Sequence, residues 1–391
     1  MAYHQIKKSN YTFRERLQIF LFSLYFISKP FYIFSSGLPQ ISDYIMVLLI
    51  CVIFSMAKFK IKVKWKNFLF LNLVFVIYIF IVNSIWSMTP NGDFSMLKNS
   101  LFYTYNFMAM LTVFFIYSRF KGKLYKILYY STGISVGIQL MLYFLGLGRQ
   151  YSSYRQIIFF NNPNQLGYFG LLAVTLIMVS YKKATNRAIA TIVFLLSAFF
   201  LIAISHSKAA IVAGIFIIAS MVLPLKMTNN MQKKIKTYLI LLVVALIIIN
   251  FIKPELLNQN RLFDSVKKRI LSIGADADDS LAGRGYDRII RYPQYLIFGA
   301  GEGALERFNT HIEIHSTIGT VLFSYGIIGF TIFAFIIILV MWKQTFANNS
   351  LIISVLAYGL THQGLRQTLF WILLSMLFLD KEERFYGNLK S

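Results

Sequence analysis

The sequence predicts an all-α polytopic membrane protein, with about twelve transmembrane helices in a range of roughly ten to thirteen, and one large external loop. Three observations carry that expectation. The 391 residues are 57% hydrophobic and only 14% charged, more apolar surface than a soluble domain can hide. Apolar runs near the roughly 20 residues needed to cross a bilayer recur along the chain. The connections between them alternate between Lys/Arg-rich and nearly uncharged segments, the pattern of the positive-inside rule.

Taken in order, the expected spans are 17–34, 41–57, 67–87, 101–118, 124–146, 164–180, 188–205, 209–225, 237–252, 315–342, 350–361 and 367–379. The first follows Lys7, Lys8, Arg14 and Arg16, so it resembles a signal sequence. No small-x-small cleavage site follows closely, and it reads as an uncleaved first span. Basic connections are the N-terminus, "KFKIKVKWK" (58–66), "SRFKGKLYK" (118–126), "YKKATNR" (181–187), "KMTNNMQKKIK" (226–236), Lys343 and the C-terminal tail. "SSGLPQIS" (35–42) and "MTPNGDFSMLKNS" (88–100) are nearly uncharged. Both termini are therefore expected in the cytoplasm. The net charge of +24 tracks orientation and attraction to anionic lipid, and nucleic acid is not needed to explain it.

Three regions follow: a membrane bundle over 1–252, an external loop over 253–314, and C-terminal spans with a tail over 315–391. The loop holds nine basic and nine acidic residues, and a connection of that length is usually functional or disordered. Its apolar and glycine content argues for a packed, functional one. Cys51, the only cysteine, lies in an apolar run, so no intramolecular disulfide and no Cys-based metal site is expected.

Polar features gather on the external side. "GRGYDRIIRYP" (283–293) sets Arg284, Arg288 and Arg291 at i, i+4 and i+7, one face if helical. "FGAGEG" (298–303) follows, a glycine-rich turn around Gly299 whose N–H groups suit an anion. Arginines beside such a turn fit a pyrophosphate; the plainer alternative is a solvated face pairing with Asp287 and Glu306. In "RQYSSYRQIIFFNNPNQLGYFG" (149–170), Arg149 and Arg155 precede Pro163, with Asn162 or Asn164 as a helix cap or ligand group. "SHSKAA" (205–210) places His206 and Lys208 at an outer turn, where Lys208 also reads as a snorkelling residue. "DADD" (276–279) reads as solvating rather than metal-binding, and no metal or cofactor is expected. His311 stands four before His315. "HSTIGTVLFSYGIIGF" (315–330) puts His315 and Ser316 at the mouth of a span, with Gly326 and Gly329 deeper, where they suit close packing of a neighbouring helix.

These residues together resemble the O-antigen ligase and polymerase superfamily. His315-Ser316, nine residues, Gly326, two residues and Gly329 fit its histidine–glycine signature. Arg288, ten residues and Gly299 fit its arginine–glycine companion. "FNNPNQLG" (160–167) resembles its Asn-Pro-Asn element, and "SHSKAA" its Ser-x-Ser-Arg element, with Lys208 in place of arginine. The four elements cover about 149 to 330 in the family's order. The resemblance implies a GT-C-like, metal-independent glycosyltransferase of the bacterial inner membrane. Its implied partners are undecaprenyl-pyrophosphate-linked oligosaccharide repeat units, membrane lipid and a chain-length regulator protein. His315, Arg288 and Arg284 are the implied catalytic residues. Arg155, Asn162, Asn164, Lys208, Arg291 and Ser316 are the implied pyrophosphate- or glycan-binding residues, and Gly299, Gly326 and Gly329 the structural ones. Polymerisation of a surface polysaccharide, O-antigen or capsule, is favoured over ligation to lipid A–core. A transporter is disfavoured, because ionisable residues cluster at helix ends and in one loop rather than deep within spans.

Overall fold

The computed structural model describes residues 11–55, 61–90, 92–152, 155–185, 187–222, 237, 261–274 and 280–387. Helices α1 (Phe13–Ser28), α2 (Ile41–Phe54), α3 (Lys66–Ser87), α4 (Met96–Phe120) and α5 (Lys123–Phe144) come first. A small antiparallel hairpin, β1 (Arg149–Gln150) and β2 (Gln156–Ile158), leads into α6 (Pro163–Ala184), α7 (Ala188–Ser205) and α8 (Lys208–Val222). Two short loop helices, α9 (Arg261–Leu271) and α10 (Asp287–Arg291), precede α11 (Thr317–Met341), α12 (Phe346–Gly359) and α13 (Thr368–Gly387). Among the described residues six helices are long and apolar enough to cross a membrane: α3, α4, α5, α6, α7 and α11. The chain is thus an all-α protein of membrane character. The expected span 237–252 lies, apart from its first residue, outside the described residues, as does the acidic run 276–279.

Local chemistry sets the helix ends. Thr12 opens α1 in a capping box with Glu15. The helix stops at Ser28 rather than running to 34, because Pro30 cannot donate the next backbone hydrogen bond. Asn162 caps α6 by accepting from the Gln165 N–H at 2.9 Å, with Pro163 in the first turn where a missing N–H costs nothing. Helix α6 is the most buried of these six; it packs between α5 and α7 and also meets α8, α12 and α13. Its glycines permit this: a Cβ on Gly170 would stand 3.0 Å from the Ala198 carbonyl oxygen of α7.

The connections sort into two ends. At one end Glu15 pairs with Arg119, Tyr117 and Lys183 meet Glu383, and Lys183 reaches Asp380 at 2.8 Å. This end carries the described parts of the Lys/Arg-rich segments 58–66, 118–126 and 181–187. At the other, the described residues of 29–40, 88–95, 145–162, 206–207, the loop up to 316, and 360–367 meet one another. Tyr32 N donates to Phe159 O, Asn99 to Glu302 O, Lys208 to Ser272 O, and Tyr358 to Asn164 O.

Helix α11 is broken. Gly326 sits at φ 63°, ψ −171°, a conformation open essentially to glycine alone. The break frees backbone groups, and residues 296–301 fill it. Ala300 N donates to Phe323 O (2.9 Å) and Gly301 N to Ser324 O (2.8 Å), while Ile327 N donates to Leu296 O (2.7 Å). Irregular backbone at helix depth is tolerable only when its polar groups find such partners. Tyr78 and Trp86 of α3 complete the seat, donating to Phe298 O (2.9 Å) and Gly299 O (2.8 Å).

This corrects two expectations. Gly326 admits the loop 296–301 rather than a neighbouring helix; a Cβ there would meet Ile297 O and stand 2.7 Å from Gly299 N. Gly299 is required for the same approach from the other side, against Ser324 and Tyr325. Gly329 does serve helix contact, its Cβ position lying 3.2 Å from the Tyr78 ring. The "FGAGEG" turn, moreover, spends the amides of residues 299–302 on protein acceptors: Tyr295 O, Phe323 O, Ser324 O and the Asn83 side chain. It is a docking segment, not an anion nest.

Candidate active site at the loop-bearing end

The arginine row is not one helical face. Helix α10 starts at Asp287, and Arg284 precedes it in a turn that passes through Gly285 at φ +75°. Arg291 is exposed and pairs with Asp287 at 3.2 Å, the plainer of the two expectations for it. Arg284 and Arg288 turn inward instead. Arg284 Nη1 donates to Thr361 O at 2.8 Å, and Arg288, only 5% exposed, donates to Ile312 O. Burial pushes the Arg288 guanidinium below its ordinary pKa, with Asp287 and Glu313 working against that shift.

His315 follows directly. Its backbone N–H donates to Arg284 O at 3.0 Å, which fixes its place beside that arginine, and its side chain is exposed. Ser316 is buried and caps α11: its Oγ accepts from Gly319 N at 3.0 Å and lies 3.1 Å from Gly359 O and 2.5 Å from Tyr286 Oη. The structure therefore gives Ser316 a capping role.

The second outer element reaches the same neighbourhood through α12. Arg155 donates to Asn164 Oδ1 (3.4 Å) and to Ser205 O (3.5 Å). Asn164 O accepts from Tyr358 Oη at 3.0 Å. Tyr168, Tyr358 and His362 stack in a column, with ring centroids 4.3 and 4.8 Å apart. That column joins the Asn-Pro-Asn helix to the 360–367 turn on which Arg284 also rests. Lys208 lies further round: it donates to Ser272 O at 2.6 Å, and Arg269 Nε donates to His206 O at 3.4 Å. His206 itself is buried in a left-handed conformation, its Nδ1 3.1 Å from Ile204 O. Burial pushes its pKa down; the Ile204 carbonyl opposes this, and Arg155 and Arg269 add to it.

Sequence reasoning names Glu313 as the alternative base to His315 but misses the turn 360–367 and the buried carboxylate it holds, Glu302. Arg366 engages Glu302 through Nη2 (2.7 Å) and Nε (3.0 Å), and Glu313 through Nη1 and Nη2 (3.1–3.2 Å). Glu302 is buried and also accepts from Tyr325 (2.6 Å), Tyr103 (3.0 Å) and Gln363 (3.4 Å). Burial would lower the Arg366 pKa, but Glu302 and Glu313 outweigh it and hold the guanidinium above its ordinary range. The available signal was "THQGLRQT" (361–368), a cationic and amide-rich turn between two short apolar helices.

Arg288, Glu302, Glu313 and Arg366 line a small recess open to solvent, with Phe308 and Phe323 among its other walls. Chemically, the assembly offers fixed guanidiniums, an exposed imidazole and a half-exposed carboxylate at the edge of an apolar bundle. Among the described residues no group of three or more His, Cys, Asp or Glu is placed to hold a metal ion. No protein-family model matches the chain, and no curated protein matches it at a significant level.

Proposed function

We propose that this chain is an integral-membrane glycosyltransferase. It polymerises undecaprenyl-pyrophosphate-linked oligosaccharide repeat units of a surface polysaccharide on the periplasmic side of the bacterial inner membrane. One observation carries the reading: three separate stretches of sequence reach the same end of the bundle, where Arg284 rests on the 360–367 turn with His315 bound to its carbonyl, Arg288 lies against Ile312, and Asn164, which Arg155 contacts, is tied to Tyr358 just before that turn. The described basic segments lie at the opposite end, which the positive-inside rule assigns to the cytoplasm. Counting 237–252 as a further span gives twelve crossings and puts both termini on that side.

In this reading the acceptor hydroxyl oxygen attacks the anomeric carbon of the donor sugar. The bond from that carbon to the phosphate oxygen breaks, and its electron pair leaves with the carrier pyrophosphate. His315 takes the hydroxyl proton, the role of a general base for which imidazole is the most common side chain. Arg284 and Arg288 stabilise the charge that develops on the leaving pyrophosphate. The chemistry needs no metal. A ligase delivering the chain to lipid A–core would run the same steps with another acceptor, so the glycan profile separates the two.

A deletion strain is complemented with the wild type or with the Arg284→Ala, Arg288→Ala double variant, and its surface glycan is profiled. Core bearing a single repeat unit supports polymerase. Naked core, with long chains held on the carrier, makes the protein a ligase. Wild-type chain lengths from the double variant at normal protein level exclude this site, and repeat units trapped in the cytoplasmic leaflet point to a transporter.

A further inference from the structure

The recess between Arg288 and the Glu302–Arg366–Glu313 chain has a composition unlike that of a pyrophosphate site. Two guanidiniums face two carboxylates there, so the local charge cancels. A pyrophosphate entering would meet Glu313 at close range, with Arg366 already engaged on both edges. A purely apolar ligand would strip water from Glu313 and Arg366 and return nothing to them.

A sugar ring matches. Each hydroxyl both donates and accepts, so neighbouring hydroxyls bridge a carboxylate and a guanidinium, while ring C–H groups rest on aromatic walls. The two carboxylates are not equivalent. Glu302 receives five donors and is buried, which exhausts the roughly four lone-pair sites of a carboxylate. Among the described residues Glu313 accepts hydrogen bonds from the Arg366 edge alone, and its side chain is 50% exposed. Glu313 therefore retains acceptor capacity directed at solvent. Arg366, pinned from behind by Glu302, fixes that carboxylate in place at the rim, two residues before His315.

We propose that this recess seats one uncharged sugar residue of the glycan, with Glu313 accepting from its hydroxyls and Arg366 acting as a positioning residue behind it. The site adjoins the pyrophosphate contacts assigned to Arg284 and Arg288 and shares Arg288 as one wall, and it rests on the glycosyl-transfer reading only for the statement that the sugar belongs to a substrate. It places a sugar next to the proton acceptor, and it makes Glu313 a determinant of which sugar is accepted.

The test is binding, independent of turnover. Full-length protein in lipid nanodiscs is examined by saturation-transfer NMR with glucose, galactose, mannose, N-acetylglucosamine and glucuronic acid as probes. At least one neutral sugar should bind saturably and more tightly than glucuronic acid. Glu313→Gln, at a half-exposed position that should fold normally, should weaken that binding by about tenfold or more, the loss of one charge-assisted hydrogen bond. Glu313→Asp, which keeps the charge, should retain measurable binding. Absence of any neutral-sugar signal above empty nanodiscs overturns the proposal, as does binding unchanged in Glu313→Gln. Tighter binding of glucuronic acid makes the recess an anion site and overturns it too. Sugar binding by a wild type that makes no polymer leaves the proposal standing and removes the glycosyl-transfer reading. Polymer made by a Glu313→Gln protein whose sugar binding is intact does the reverse.

Discussion

Replacing Gly326 with alanine tests the break in α11 that holds the loop. At φ 63°, ψ −171° any side chain is strained by about 1–3 kcal/mol. The added Cβ would also strike backbone, standing 2.5 Å from Ile297 C and 2.7 Å from Gly299 N, and backbone cannot swing aside as a flexible side chain does. Relief requires residues 296–301 to withdraw. Withdrawal costs the hydrogen bonds from Ala300 N, Gly301 N and Ile327 N, each worth about 1 kcal/mol net. The sum is about 4–6 kcal/mol, reduced if the helix straightens and closes its own bonds across the gap. Trp86, whose indole N–H rests on Gly299 O, reports the event directly. We expect purified Gly326→Ala to unfold at a clearly lower temperature, with altered tryptophan emission. Gly137, a helical glycine of α5 with open space around its Cβ position, is the control. Alanine there should be neutral or stabilising by up to about 1 kcal/mol. If Gly326→Ala melts and fluoresces like the wild type, the loop is not seated in the break as described.

Three further outcomes follow from the structure. Arg366→Leu leaves Glu302 buried without its cation and should cost about 3–5 kcal/mol, much of it restored in the Arg366→Leu, Glu302→Gln double variant; thermal midpoints of the three proteins check this. His206 has a pKa pushed below its ordinary value by burial, so the unfolded chain binds its proton more readily. That stability is present above about pH 6.5 and is lost as pH falls through the lowered folded value. His206→Asn, which tolerates the left-handed backbone, should show a weaker loss of thermal midpoint between neutral and acidic buffer; an equal loss contradicts the assignment. For orientation, single cysteines at Ser272 and Ser118 in a Cys51→Ser background should label from outside at 272 only, and labelling at 118 alone reverses the topology.

The helices were legible because bilayer length and apolar composition act locally: α3, α4, α5, α6, α7 and α11 all stand where runs of apolar residues stand. The Asn162 cap was legible too, since Asn-Pro at a helix start needs no distant partner. What failed depends on tertiary contacts. The i, i+4, i+7 spacing of Arg284, Arg288 and Arg291 suggests one helix, but the left-handed Gly285 delays the helix to Asp287. "FGAGEG" has the glycine content of an anion-binding turn. Its amides are consumed because α11 breaks opposite them, which is visible only when both segments are in place. Arg366 carries no motif, and its importance comes from Glu302, 64 residues earlier.

The glycosyl-transfer claim is tested most directly by reconstitution. Purified protein in liposomes is given undecaprenyl-pyrophosphate-linked repeat units, with no divalent cation, and released carrier pyrophosphate and glycan length are followed together. The account predicts glycans of more than one repeat unit, one carrier pyrophosphate freed per linkage, and loss of both products in Arg288→Ala and in His315→Gln. Carrier pyrophosphate and polymer formed at the wild-type rate by both variants, or neither formed by the wild type on its own repeat unit, would contradict it.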